Sequence, residues 1–278
     1  MGLRITILAE NSTEVPFGVT AEHGFSAFVE TERGNFLFDT GQGKVLLPNS
    51  LILGKDLRGI KFLALSHGHF DHVLGIPQVL EITGKLDVYG HPDIFLERYW
   101  DHKDGRLQSI GMPYRRSYLE SLGARFQLKK EFTEVLDNVF LSGEIPRKTD
   151  FEKTDQNMVI KGEKGDWVRD PILDDLSLFM ETPKGLVILL GCGHAGMINI
   201  IEHAIEKTGK KKIHAVLGGT HLMFSDPEQL RRSIEALKNY DIDLVGASHC
   251  TGLKAGAALY TAMKDKFFFA TAGSVLEV

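Results

Sequence analysis

A chain of 278 residues, 43% hydrophobic and 25% charged, has the composition of an ordinary soluble globular protein and can bury a substantial core. Its net charge of −5 gives no general attraction to a phosphate backbone, so a polynucleotide partner would need a local basic patch that composition does not show, and a small-molecule substrate is the partner expected. No apolar run approaches the roughly 20 residues needed to cross a bilayer. Two cysteines exclude a disulfide framework and suit a reducing cytosol, so a cytoplasmic protein with no membrane partner is expected.

In chain order, the opening "MGLRITILAENSTEV" has too short an apolar core for a secretory signal. Gly2 and Thr6 fit the loose myristoylation pattern, but "LRITILA" reads better as a first strand, 3–8. Apolar, β-branched or aromatic runs then predict strands at about 25–31, 34–39, 62–66, 86–90, 138–142, 176–181, 185–190, 213–217, 244–248 and 267–271. Helical patterns alternate with several of them. "AGMINIIEHAIEKTG" keeps Ile198, Ile201 and Ile205 on one face and stops at Gly209. "DPEQLRRSIEALKNY" opens with Asp226 as N-cap, Pro227 in the first helical position and Gln229 placed to complete a capping box. Residues 92–175 form a more polar middle, in which "YWDHKDGRLQ" and "KTDFEKTDQN" read as loops or a lid. One α/β domain over 1–278, with 92–175 as a central insertion or cap, is the simplest organisation; it leaves a homo-oligomer open.

The stretch "LSHGHFDHVLG" puts three histidines and an aspartate into six positions, which packing does not explain. The buried strand "KFLALS" should deliver His67 to its carboxyl end. His67 and His69, two apart in a turn, can face one metal; Asp71 and His72, where the next helix begins, can face another. Imidazole nitrogen and carboxylate oxygen both bind zinc at about 2.0–2.2 Å. Further ligands must come from later strand ends: Cys192 and His194 in "VILLGCGHAG", His221 in "AVLGGTHL", and His249 and Cys250 in "LVGASHCTG". A lone histidine after a strand is usually an ordinary loop residue, but three such endings in one half point to a shared site.

Assembled, these residues resemble the metallo-β-lactamase superfamily over nearly the whole chain. "LFDTGQG" is similar to the first family motif, which places Asp39 behind the metals; "SHGHFDH" is similar to the second, and "ASHC" to the last, where His249 closes the second metal's ligand set. "LLGC" falls where most members carry a bridging aspartate and some lactamases a cysteine ligand, which makes Cys192 the match; Cys250 is expected beside the site but not on the metal. The third motif has no clear counterpart: "LSGEIPR" offers Glu144, or else His194 supplies the missing ligand. "EHGFSAFVE", "GEIPR", "DDLSL", "GCGHAGMIN" and "SHCTG" resemble the branch named for 7,8-dihydropterin-6-methyl-4-(β-D-ribofuranosyl)aminobenzene-5′-phosphate synthase.

The resemblance implies a four-layer αββα sandwich, two divalent transition-metal ions (zinc first, with iron or manganese as alternatives) and a cleft at one edge. The function expected is a metal-dependent hydrolase or phosphate-ester lyase acting on a small anionic or phosphorylated, pterin-related metabolite through a metal-activated hydroxide. In that scheme Asp71 also steers the water, His221 or Glu144 moves a proton, His23 lines the cleft, and Arg147 with Lys148 holds a substrate phosphate. A phosphodiesterase or nuclease of the same superfamily is the alternative enzyme; a metal-bound but catalytically silent ligand-binding or signalling protein is the alternative of another class. A redox di-iron protein fits less well, because such relatives carry glutamate where His69 stands.

Overall fold

Side chains alternate faces along a strand, and the first one, Leu3–Ala9, turns Leu3, Ile5 and Ile7 one way and Leu8 the other. Both faces are buried, so this strand needs a layer on each side. The computed structural model describes all residues except 1, 15, 16 and 154, and supplies both layers. Leu3–Ala9 lies in a seven-stranded sheet in the order Val275–Glu277, Leu3–Ala9, Ser26–Thr31, Gly34–Phe38, Phe62–Ala64, Leu86–Gly90, Ala124–Leu128. A second sheet, also of seven strands, runs Phe267–Phe269, Ile242–Ser248, Ile213–Gly219, Gly185–Leu190, Ser177–Thr182, Val139–Leu141, Thr133–Leu136.

Between the sheets, Ile5, Phe36, Phe38 and Phe62 meet Leu178, Met180, Val187 and Leu189. On the outer face of the first sheet, Leu37, Leu63 and Leu65 pack on Leu46, Ile76 and Val79 from the helices Leu46–Ile52 and Ile76–Thr83. On the outer face of the second, Ile188, Val216 and Val245 pack on Ile201, Leu237 and Leu259 from the helices Met197–Thr208, Pro227–Leu237 and Gly252–Met263. The result is the expected αββα sandwich. Among the described residues no helix is long and apolar enough to cross a membrane.

The helix signals are realised with one change. Gly209 ends its helix in the left-handed conformation, and Asp226 accepts from the Gln229 backbone N–H with Pro227 behind it. The Gln229 side chain, however, accepts from the Lys153 N–H at 3.3 Å instead of closing a capping box, because the neighbouring segment offers it that donor. The helix Met197–Thr208 begins at Gly196, which has no capping side chain; Glu152 takes that role, accepting from the N–H groups of Ile198 (2.8 Å) and Asn199 (2.9 Å).

Burial outweighs both those hydrogen bonds at Glu152 and pushes its carboxyl up to about 7. A carboxyl raised from its ordinary 4.5 stabilises the fold while protonated, and that contribution is lost as pH climbs from 4.5 through 7. Glu152→Gln should therefore gain about 3 kcal/mol relative to wild type between pH 4.5 and 8. Urea unfolding at the two ends of that range measures the difference; a constant offset would show that Glu152 does not titrate abnormally.

The polar middle divides. Ala124–Leu128, Thr133–Leu136 and Val139–Leu141 extend the two main sheets. The strands Trp167–Arg169, Met158–Lys161, Arg98–Asp101 and Leu107–Ser109, in that order, make a separate four-stranded sheet. "YWDHKDGRLQ" is thus an antiparallel hairpin, with Asp101 opposite Leu107, rather than a loop. Its small core of Ile110, Met158 and Ile172 seats on Phe70 and Trp100, beside the histidine motif. Three links join this sheet to that motif: Phe70 N–H donates to the Ile110 carbonyl (2.9 Å), His69 bridges Gly111, and the Gly68 N–H donates to Asp174 (2.8 Å). Asp174 and Asp170 both pair with Arg98, which is 1% exposed.

Candidate metal centre

The short strand Phe62–Ala64 is wholly buried and continues through Leu65 and Ser66 to His67. Two glycines let the chain pack tightly here. A Cβ on Gly68 would lie 2.2 Å from the Ile94 carbonyl oxygen, and one on Gly191 2.2 Å from Ser66 Oγ. The first glycine tightens the turn that sets His67 against His69. The second lets the strand ends of the two sheets meet, which brings Cys192 and His194 over the motif.

Two groups of donors converge. His67 Nε2 lies 2.8 Å from His69 Nδ1 and 3.3 Å from His194 Nε2. His72 Nε2 lies 3.2 Å from both His249 Nε2 and Cys192 Sγ, and Asp71 Oδ2 is 3.2 Å from His249 Nε2. Cys192 belongs to both groups: its sulfur is within 4.8 Å of the ligand atoms of His67 and His194, and of those of His72 and His249.

The rings are locked from behind. Asp39, fully buried, accepts from Ser66 N–H (2.7 Å), Ser66 Oγ (2.6 Å) and His72 Nδ1 (2.7 Å). Since Ser66 Oγ gives its proton to Asp39, it accepts from His67 Nδ1 at 2.9 Å. Asn11 Oδ1 accepts from His249 Nδ1 (2.9 Å) and from the Gly24 N–H (3.2 Å). With their Nδ1 protons committed, the Nε2 atoms of His67, His72 and His249 present lone pairs inward. Two facing lone pairs 3.2 Å apart, as on His72 and His249, repel unless a cation lies between them. Ligands 2.0–2.1 Å from one tetrahedral zinc are themselves about 3.3 Å apart, so the spacing matches a metal.

Charge agrees with that fit. Burial holds His67, His69 and His194 well below the ordinary histidine range, so all three are neutral and free to coordinate. Burial opposes ionisation of Asp71, but His72, His249 and His23 around it hold the carboxyl well below its usual range; Asp39 and Asp71 in turn raise His72 against its own burial, so the centre favours a cation, proton or metal, at the inward face of that ring. Burial drives the Cys192 thiol well up, so it stays protonated unless a cation replaces the proton.

Of the remaining expected residues, His23 sits at the solvent side, 57% exposed, with Nε2 3.5 Å from Asp71 Oδ2. His221 stacks on Phe224 (ring centroids 4.7 Å) and meets His194 at a tilt (4.1 Å), and burial pushes it down to about 3. Cys250 is in neither donor group; it donates to the Cys192 carbonyl and accepts from the His221 N–H, both at 3.3 Å. It is His194, not Glu144, that the fold brings to His67. Glu144 instead accepts from His91 (3.0 Å) and pairs with Lys130 (3.4 Å). Arg147 spends two of its N–H groups on the carbonyls of His194 and Pro171, and Lys148 pairs with Glu206 in an exposed setting. Ser66 and Asn11 were not singled out from sequence: a serine inside the motif has no distinctive spacing, and Asn11 is 238 positions from its histidine.

The two cysteines give a clear test. Cys192→Ser should lose at least one equivalent of zinc and Cys250→Ser none, measured by atomic emission. Zinc should also protect Cys192 from alkylation far more than Cys250. Equal zinc in wild type and Cys192→Ser would reduce that thiol to packing.

The family description "Metallo-beta-lactamase superfamily" matches residues 19–249. A protein of Methanocaldococcus jannaschii named 7,8-dihydropterin-6-methyl-4-(beta-D-ribofuranosyl)-aminobenzene-5′-phosphate synthase is 30% identical over 99% of this chain and 96% of its own. An uncharacterized protein of the same organism is 32% identical over 99% of this chain and all (100%) of its own. Among solved structures, a metal-dependent hydrolase of the β-lactamase superfamily superposes with a TM-score of 0.82 at 27% identity, covering 99% of both chains. Zinc-bound PqqB from Methylobacterium extorquens shares the fold, with a TM-score of 0.58 at 14% identity over 99% of this chain and 100% of its own. With its histidine motif, its sandwich and these full-length likenesses in agreement, the chain belongs to the metallo-β-lactamase superfamily.

Proposed function

We propose that the chain is a metal-dependent hydrolase or phosphate-ester lyase acting on a small phosphorylated metabolite. The observation that carries this reading is the convergence of seven donors in two groups beneath one cleft. His67, His69 and His194 would hold one divalent ion, and Asp71, His72 and His249 a second, with Cys192 between them. Bound there, such ions supply Lewis acidity and lower the pKa of water to about 7.

The chain's own residues do the rest. Asp39, Ser66 and Asn11 fix the ligand rings before substrate arrives, so no reorganisation is needed during reaction. Phe70, Trp100, Ile110 and Met158 line the cavity of about 230 Å³ above the ligands and limit water there. His23 stands between Asp71 and solvent, where it can pass a proton outward. The named relative supports a phosphorylated, pterin-related substrate, since its name contains both a dihydropterin and a 5′-phosphate. Exposed cations such as Arg231, Arg232 and Lys212 are spent on neighbouring carboxylates, which favours a small molecule over a nuclease substrate. Two buried free thiols suit a reducing, cytoplasmic setting.

The test is release of 4-nitrophenolate from 4-nitrophenyl phosphate by the zinc-loaded chain. Turnover should vanish on chelation and return with zinc. Full zinc binding without turnover on any phosphomonoester would overturn this reading and leave the phosphodiesterase and the silent ligand-binding protein, which a phosphodiester substrate then separates.

A further inference from the structure

His23 has an exposed ring on a backbone fastened to the supports of the ligand centre. The Gly24 N–H donates to Asn11 Oδ1 (3.2 Å), the same oxygen that holds His249 Nδ1. The Phe25 N–H donates to the Asp71 carbonyl (3.2 Å), and Gln42 Nε2 donates to the carbonyl of His23 itself (2.6 Å). Gly24 sits at a φ of 148°, and a Cβ there would lie 2.5 Å from the Asp71 carbonyl oxygen, so only glycine lets the segment come this close. An ordinary solvated histidine on a surface loop needs no such docking.

The ring points at the ligands. Its Nε2 is 3.5 Å from Asp71 Oδ2, which is in turn 3.2 Å from His249 Nε2. One ligand atom from each of His23, Asp71 and His249 falls within 4.8 Å of the other two. The His23 ring also meets those of His249 and Phe70, at centroid distances of 5.3 and 5.9 Å. A charge-assisted hydrogen bond to a carboxylate closes to about 2.7–2.9 Å, so 3.5 Å is a poor one. Two donors that share one tetrahedral zinc are about 3.3 Å apart, which the pair approaches more nearly.

We propose that His23 is a further protein ligand of the second ion and closes its solvent side until an anion takes that place. The assignment rests on the two-ion reading above and adds a fifth side chain to Asp71, His72, His249 and Cys192. The fastened backbone keeps the imidazole within reach, while the exposed ring can turn aside about its own torsions. Turned aside, Nε2 is free to take a proton outward, so the two roles of His23 follow one another. An anion entering the cleft has to compete with this imidazole.

The test compares wild type with His23→Ala and His23→Gln, each as the full chain stripped by a chelator and reloaded with zinc. Competition against a chromophoric chelator should show the second equivalent held at least about tenfold more weakly in both variants, with the first unchanged. Glutamine is the discriminating change, because its amide can still donate to Asp71 but is not among the side chains that zinc ordinarily takes. Inorganic phosphate should bind zinc-saturated His23→Ala severalfold tighter than wild type, with no side chain to displace. Crystals of the zinc-loaded wild type should place Nε2 about 2.0–2.1 Å from the second zinc. An unchanged second equivalent in His23→Ala, wild-type affinity in His23→Gln, or equal phosphate affinities would overturn the assignment and leave the two-ion centre standing. Saturation of wild type at one equivalent would overturn both together.

Discussion

Asp39→Ala should destabilise the protein by about 3–5 kcal/mol and weaken zinc binding roughly 10–100-fold, although Asp39 is not itself placed to bind the metal. Its buried carboxylate accepts three hydrogen bonds, from Ser66 N–H, Ser66 Oγ and His72 Nδ1, and alanine leaves all three donors unsatisfied at once. The ring of His72 is then free to rotate, and the proton on Ser66 Oγ no longer points away from His67. Asp39→Asn keeps the volume and one acceptor oxygen, so it should recover part of the stability but less of the affinity. Urea unfolding and competition against a chromophoric chelator separate the two effects. Unchanged zinc affinity in Asp39→Ala would show that the rings are held by packing alone.

Arg98→Met should cost about 3–5 kcal/mol for a different reason. Methionine fills much of the same space, but Asp170 and Asp174 lose the cation that compensates them in a buried setting. Asp174 also anchors the Gly68 N–H between His67 and His69, so the loss reaches the histidine turn. Neutralising both carboxylates together, in Arg98→Met/Asp170→Asn/Asp174→Asn, should restore most of the stability. If the single variant melts with wild type, the four-stranded sheet is tied to the turn by its backbone links alone.

How far the sequence reveals such features depends on where their partners lie. The main strands were legible because buried strands require apolar or β-branched runs: "LRITILA" and "GLVILL" leave no other reading. The four-stranded sheet was not, because Leu107–Ser109 and Trp167–Arg169 are exposed along their whole length and carry no alternation. Likewise, His67, His69, Asp71 and His72 declare themselves by spacing within one turn. The choice between Glu144 and His194 could not be read that way, since it depends on how closely Gly191 lets the second sheet approach Ser66. Nor does a sequence show that two N–H groups of Arg147 go to the carbonyls of His194 and Pro171, which lie on other segments.

Whether these converging side chains form a two-metal centre is tested most directly by a zinc titration of the chelator-stripped full chain. Calorimetry, with metal analysis of the crystallised product and an anomalous difference map at the zinc edge, should show saturation at two equivalents. One peak should fall among His67, His69 and His194 and the other among Asp71, His72 and His249, with Cys192 between them. Saturation at one equivalent or less, or peaks away from these residues, would contradict the account.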